Sequence, residues 1–326
     1  MTVFFITRFD LRNPASAGTS MAERYAAALD MAEWADRLGS VAIVLSEHHG
    51  SDDGYLPSPV TMAAAVAART TNARVGIAAL IAPFYDPLRL AEDLLVLDNL
   101  SQGRIDLVIG GGYVSDEFDM LGVPTRERVA RVTEVITTLQ AAFTGEPFTY
   151  RGRTVRLTPG PVGDGPSISL GGNGEPAARR AARLGVPFLP AVSEAWPFYC
   201  DEVEKLGRPH PGPCPIDDDN RLVALAEDPE KGWDEMGPYF LHEMQAYGAW
   251  QAQAGIASPY HSVADIAELR ETGAYAILTP DEYVAELKAS PFPFVVLHPM
   301  CGGMPIDLAW SSLRLFEHDV LPALAD

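Results

Sequence analysis

Three adjacent titratable residues, Glu47, His48 and His49, directly follow an apolar run at 41–45. Imidazole holds or releases a proton near neutral pH, so a histidine at the end of a buried strand is a natural proton donor or acceptor. Neighbours on an extended chain point to opposite sides, which sends one imidazole toward the mouth of a site and packs the other behind it. The structural alternative is two histidines hydrogen-bonded within a loop. No H-E-x-x-H or other spaced ligand set accompanies them, and no metal centre is expected.

Two glycine clusters supply a second kind of chemistry. Gly110-Gly111-Gly112, followed by Tyr113, comes after the apolar run at 105–109, and Gly171-Gly172-Asn173-Gly174 comes after the run at 167–170. The second cluster opens a helix, whose free amides and positive dipole end hold a phosphate. Glycine lets the backbone approach a ligand closely. Neither cluster fits G-x-G-x-x-G, because Ser115 stands where the third glycine of the first would fall and Pro176 follows the second. Two ordinary strand-to-helix turns are the plainer reading. Arg179, Arg180 and Arg183 follow on the helix, where solvated surface is the default for arginine. Serine-hydrolase chemistry lacks its G-x-S-x-G elbow, and Cys301 has only His298 near it in sequence.

These residues sit at fixed places in an alternating pattern. Apolar strand-like runs at 3–7, 41–45, 74–81, 105–109, 167–170, 186–189, 222–226 and 294–297 alternate with amphipathic stretches. Ser20 with Glu23 and Thr279 with Glu282 form capping boxes, and Ser58-Pro59 and Asp86-Pro87 are helix starts. Eight strands and about eight helices in 326 residues predict an α/β fold, a (β/α)8 TIM barrel with insertions in a single domain over 1–326. A hairpin insertion is expected at 146–165. From 228 to 279 the aromatics Trp233, Tyr239, Phe240, Tyr247, Trp250 and Tyr260 lie among Gly, Pro and Gln without a clean strand, and this stretch is read as a helical excursion or lid.

Composition narrows the partners. A net charge of −20, from 24 basic and 44 acidic residues, opposes nucleic acid and anionic membranes as partners. The apolar stretch near the start is five residues long with Arg8 behind it, and no run approaches the ~18 residues of a membrane span, so a cytoplasmic protein is expected. Cys200, Cys214 and Cys301 form no C-x-x-C and are read as reduced and structural.

The segments SEHHG, RVGIAALIAPFYDPLRLAEDLLVLDNLSQGRIDLVIGGGYVSDEFDMLGVP, ISLGGNGEPAARRAARLGVPF and AWSSLRLFEHDVLPAL together resemble the bacterial luciferase-like flavin-dependent monooxygenases along nearly the whole chain. The resemblance implies a reduced flavin, FMN, across the carboxyl ends of the strands, with His48 as the catalytic histidine. It implies a non-prolyl cis peptide at Ala78-Ala79 beneath the flavin ring and a phosphate loop at Gly172, Asn173 and Gly174. Glu47, Gly110, Gly111, Gly112, Tyr113 and Gly171 complete the expected cofactor contacts. Gly111 is a departure: an arginine that grips the phosphate in the luciferase is missing there unless a helix arginine replaces it. Implied partners are a separate NAD(P)H-dependent flavin reductase, O2, a small, largely apolar substrate and a second copy in a homodimer. Phe9, Phe84, Trp196 and Met300 are candidate substrate contacts. The implied reaction places one oxygen atom on the substrate through a flavin hydroperoxide. The alternatives are a deazaflavin coenzyme with hydride transfer, or a non-catalytic flavin-binding protein.

Overall fold

Every apolar run named above becomes a short strand in the computed structural model, which describes residues 3–216, 221–256, 260, 262–291 and 293–325. The strands are β1 (Phe4–Phe9), β2 (Ala42–Leu45), β3 (Arg74–Ile81), β4 (Ile105–Gly110), β5 (Phe148–Tyr150), β6 (Arg153–Val155), β7 (Ser167–Gly172), β8 (Phe188–Pro190), β9 (Leu222–Leu225), β10 (Tyr275–Leu278) and β11 (Phe294–Leu297). The helices are α1 (Met21–Arg37), α2 (Pro59–Arg69), α3 (Pro87–Ser101), α4 (Ser115–Met120), α5 (Arg128–Ala142), α6 (Glu175–Leu184), α7 (Trp196–Lys205), α8 (Pro229–Ala254), α9 (Ile266–Glu271), α10 (Pro280–Ala289), α11 (Ile306–Leu315) and α12 (Leu321–Ala325).

Seven strands form one parallel sheet in the order β11-β1-β2-β3-β4-β7-β8. β9 and β10 make a separate parallel pair, with β9 packed beside β11, and β5 and β6 form an antiparallel hairpin. The architecture is a TIM-barrel-like α/β fold with helices packed outside the curved sheet. Its side chains pack as one main core, with Phe5, Ile43, Leu45, Val75, Ile77, Ile105 and Leu107 from the strands against Ala28, Met31, Val66 and Leu94 from the helices. Both capping boxes form as the spacing requires, Ser20 with Glu23 and Thr279 with Glu282.

One expectation needs correction. The strand count exceeds eight, because Tyr275–Leu278 is a parallel strand inside the stretch read as lacking one. Five apolar residues squeezed between Gly273 and the Thr279 cap give too short a period-2 signal to stand out. The same stretch also holds a regular helix of 26 residues, α8, capped by the Asp228 carboxylate and carrying Pro238 inside it. α8 passes directly over the loop after β11. A Cβ on Gly302, whose φ is +59°, would lie 1.9 Å from the Tyr239 carbonyl oxygen. Glycine at 302 is what lets the helix backbone rest there.

Candidate active site

The carboxyl ends of β1, β2 and β4 and the last turns of α8 converge on His48. Its Nδ1 lies 2.7 Å from Glu117 Oε1, on the short helix α4 that follows the Gly110–Tyr113 turn. The same oxygen accepts the His49 backbone N–H at 2.9 Å, and Glu117 is fully buried. A carboxylate already serving as an acceptor makes Nδ1 the protonated nitrogen, which leaves Nε2 to exchange a proton. The Tyr113 hydroxyl stands 3.4 Å from that Nε2.

Aromatic rings seal one side of the imidazole. Trp250 stacks on it with centroids 4.3 Å apart, and Tyr55 and Tyr247 meet it edge-on, so His48 is only 6% exposed. The Tyr55 and Tyr247 hydroxyls are 2.7 Å apart, and burial pushes both phenols up. Beneath them Arg12, with no exposed surface, has its guanidinium over Tyr55, Tyr247 and Trp250 at 4.7–4.9 Å. Arg12 is paired to Asp53 and stands 3.4 Å from Asp10, and His242 of α8 binds the same Asp53 at 2.8 Å. Burial opposes the Asp53 charge, but His242, Arg12 and Ser51 together hold its carboxyl well below the usual range. A buried cation flanked by three rings is held by cation–π attraction as well as by its carboxylates.

The neighbouring strand ends are only half-buried. Ala78 and Ala79 are half-buried between the fully buried Ile77 and Leu80, and the peptide bond joining them is cis. Gly111, Gly112, Tyr113, Gly171, Gly172 and Gly174 are also half-buried, and Asn173 is exposed. α6 starts after its N-cap Gly174 without a side-chain cap; Pro176 has no N–H and the Ala177 amide donates to the Gly174 carbonyl at 3.1 Å, which leaves the Glu175 amide and the positive end of the helix to an anion. Close by, Arg128 of α5 packs along Gly111, where a Cβ would meet its Cδ at 3.6 Å, and donates to the Gly112 carbonyl at 3.1 Å. Arg180 makes no ion pair among the described residues; burial and then repulsion from Arg128 and Arg183 lower its pKa. Arg179 and Arg183 are instead paired to Glu202.

Several sequence candidates fall elsewhere. Glu47 is buried and fully engaged: it accepts from the Ile81 amide at 2.7 Å, the Tyr85 hydroxyl at 2.8 Å and His49 at 2.9 Å, which leaves no face for a cofactor. Phe9 and Met300 have no exposed surface and belong to the core, so neither lines a pocket. Phe84 meets His49 and Phe118 edge-on, and Trp196 packs on Tyr199. Glu117, Arg12 and Arg128 were not singled out by sequence reasoning, and Trp250 was named only among the aromatics of the 228–279 stretch. The usable signal was Glu117, an acid four residues after Tyr113 beyond the end of β4, two strands over from β2.

A curved parallel sheet with a histidine–carboxylate pair and glycine turns at its carboxyl ends defines an α/β-barrel oxidoreductase scaffold. The chain belongs to the luciferase-like monooxygenase family, whose family model matches residues 1–296. It is 30% identical over 120 residues to the oxygenase component of the flavin-dependent trigonelline monooxygenase of Acinetobacter baylyi, a match covering 36% of this chain and 33% of that protein. It is 29% identical over 197 residues to the F420-dependent glucose-6-phosphate dehydrogenase of Nakamurella multipartita, covering 55% and 58%. These matches span a third to somewhat over half of the relatives' length. Among solved structures, monooxygenase RslO1 from Streptomyces bottropensis superposes with a TM-score of 0.75 at 25% identity, covering 98% of this chain and 99% of that one. The FMN complex of the oxygenating constituent of 3,6-diketocamphane monooxygenase from Pseudomonas putida shares the fold, with a TM-score of 0.73 at 19% identity over 99% and 98%.

Proposed function

We propose that the chain is the oxygenase component of a two-component monooxygenase that takes reduced FMN from a separate flavin reductase and oxidises a small, largely apolar organic molecule. The observation that carries this reading is the buried His48–Glu117 pair beside half-buried strand ends with glycine turns. The residues present suit FMN: the uncapped start of α6 with Arg128 and Arg180 for the phosphate, and the half-buried Ala78 and Ala79 for the ring. Arg128 stands in for the arginine missing at Gly111. When bound, reduced FMN supplies the electrons that activate dioxygen.

The chain's own residues do the rest. Glu117 fixes the His48 tautomer and ring orientation, His48 Nε2 gives or takes the proton, and the Tyr113 hydroxyl is its nearest relay. Trp250, Tyr247 and Tyr55 exclude water from that nitrogen, so it exchanges its proton with the bound reactants rather than with solvent. The stretch that includes α8 acts as the lid, because it supplies two of those three rings.

A deazaflavin reading draws on the dehydrogenase relative, and one experiment separates the two. The purified chain is titrated anaerobically with reduced FMN and with reduced deazaflavin coenzyme, and oxygen uptake is then followed with a flavin reductase present. Tight FMN binding and oxygen uptake above that of the reductase alone support the proposal. Tight deazaflavin binding with no oxygen requirement overturns it, and FMN binding without any oxygen chemistry marks a flavin carrier.

A further inference from the structure

We propose that Glu243, His298 and Cys301 form a three-ligand site for a thiophilic divalent ion, zinc foremost, that ties the lid helix α8 to the loop after β11. Glu243 lies on α8 and the other two directly follow β11. One donor atom from each lies within 4.8 Å of the others, and all three residues are buried. The imidazole of His298 has no exposed side-chain surface, yet neither ring nitrogen makes a hydrogen bond. Its Nδ1 faces Glu243 Oε1 at 3.5 Å and its Nε2 faces Asp10 Oδ2 at 3.7 Å, both too long for hydrogen bonds. Glu243 Oε1 and Asp10 Oδ2 likewise accept no hydrogen bond, although Arg8 Nη2 and Arg12 Nε stand 3.7 and 3.4 Å from them.

Buried polar atoms left unpaired in this way cost free energy unless something joins them. An ion between Nδ1 and Oε1 would do so. Zinc bonds of ~2.0–2.1 Å to nitrogen and oxygen put two tetrahedral ligands ~3.3 Å apart, close to the separation seen. Asp10 behind the far nitrogen of His298 and the Tyr275 hydroxyl donating to Glu243 Oε2 at 2.8 Å resemble an outer shell, while the Cys301 thiol donates to the same Oε2 at 2.8 Å, a bond that the sulfur–metal bond would replace. A cavity of about 210 Å³, lined by Arg8, Glu243, Tyr260 and Tyr275 among others, offers an entry path and room for a fourth, water ligand.

Two features set the strength of the site. Arg8 Nη2 stands 3.7 Å from Glu243 Oε1 and opposes a cation. Burial and the neighbouring Glu243 push the Cys301 thiol up, so the ion must displace its proton: the S–H bond breaks, a sulfur–metal bond forms, and the proton leaves to solvent. Nothing in this site depends on flavin.

The test uses the full chain with Cys200→Ser and Cys214→Ser, so that Cys301 is its single thiol, stripped with chelator and titrated anaerobically with cobalt(II). One equivalent should produce a thiolate-to-cobalt charge-transfer band with strong tetrahedral bands in the visible, all bleached by zinc. Adding Cys301→Ser should abolish the charge-transfer band, and Glu243→Gln should weaken cobalt binding roughly 10- to 100-fold. Absence of the band in the Cys301-only chain overturns the proposal even if neither further variant folds. Binding only at millimolar cobalt, or a band that survives Cys301→Ser, overturns it too.

Discussion

Replacing Glu117 with alanine isolates what the carboxylate does for His48. The side chain is 1% exposed and one of its oxygens holds both His48 Nδ1 at 2.7 Å and the His49 amide at 2.9 Å. A charge-assisted hydrogen bond of this kind is worth about 1.5–3 kcal/mol, which corresponds to a preference of roughly 10- to 150-fold for the Nδ1–H tautomer. Glu117→Ala removes that preference and strands two donors, so stability should fall by about 2 kcal/mol as well. Glu117→Gln keeps an acceptor oxygen and should keep the tautomer, with the smaller preference of a neutral bond. The assay is long-range proton–nitrogen correlation NMR on the histidine-labelled chain, which distinguishes the two ring nitrogens without any substrate. Wild type should show His48 protonated at Nδ1, the Ala variant a mixture, and the Gln variant a pattern near wild type. An Nε2–H tautomer in wild type, or an unchanged ratio in Glu117→Ala, refutes the role given to Glu117.

Other consequences can be checked directly. Arg128→Ala should weaken reduced-FMN binding roughly 10- to 150-fold by loss of one charge-assisted contact, measured by anaerobic titration; an unchanged Kd removes Arg128 from the phosphate site. Trp250→Ala should uncover the imidazole and raise its rate of modification by diethyl pyrocarbonate several-fold, read by peptide mass spectrometry. Asp36 accepts the Thr71, Asn72 and Ala73 amides and the Thr71 hydroxyl, contacts that outweigh the burial penalty and hold its carboxyl below the usual range. A depressed carboxylate stabilises the fold above its unfolded pKa of about 4 and loses that contribution as pH falls through the folded value. Asp36→Asn should therefore cost roughly 2 kcal/mol at neutral pH in urea titrations, with the difference shrinking on acidification below about pH 4. Gly302→Ala should cost about 3 kcal/mol or more, because the new methyl collides with helix backbone that cannot yield like a side chain.

What could be read from the chain alone follows the range of the interactions involved. Strands, caps and the glycine turns are set by neighbours within four residues, and Ser20 with Glu23 or Gly171 to Gly174 can be recognised at that range. His48 was legible because it stands directly at a strand end. Its partner was not: Glu117 is 69 residues away, and only the pairing of β2, β3 and β4 brings α4 over it. The partners of Glu47 were hidden for the same reason, since the Ile81 amide and Tyr85 hydroxyl it accepts from come from the next strand end. The covering of the site is still less local. Trp250 and Tyr247 reach His48 because α8 lies across the mouth, and α8 lies there because Gly302, at the opposite end of the chain's order, offers no side chain in its way. Composition in 228–279 carried no trace of that contact. A residue without a side chain thus decides whether the imidazole is wet or dry, and the Gly302→Ala variant should expose His48 to solvent even where it leaves every residue around the imidazole unchanged.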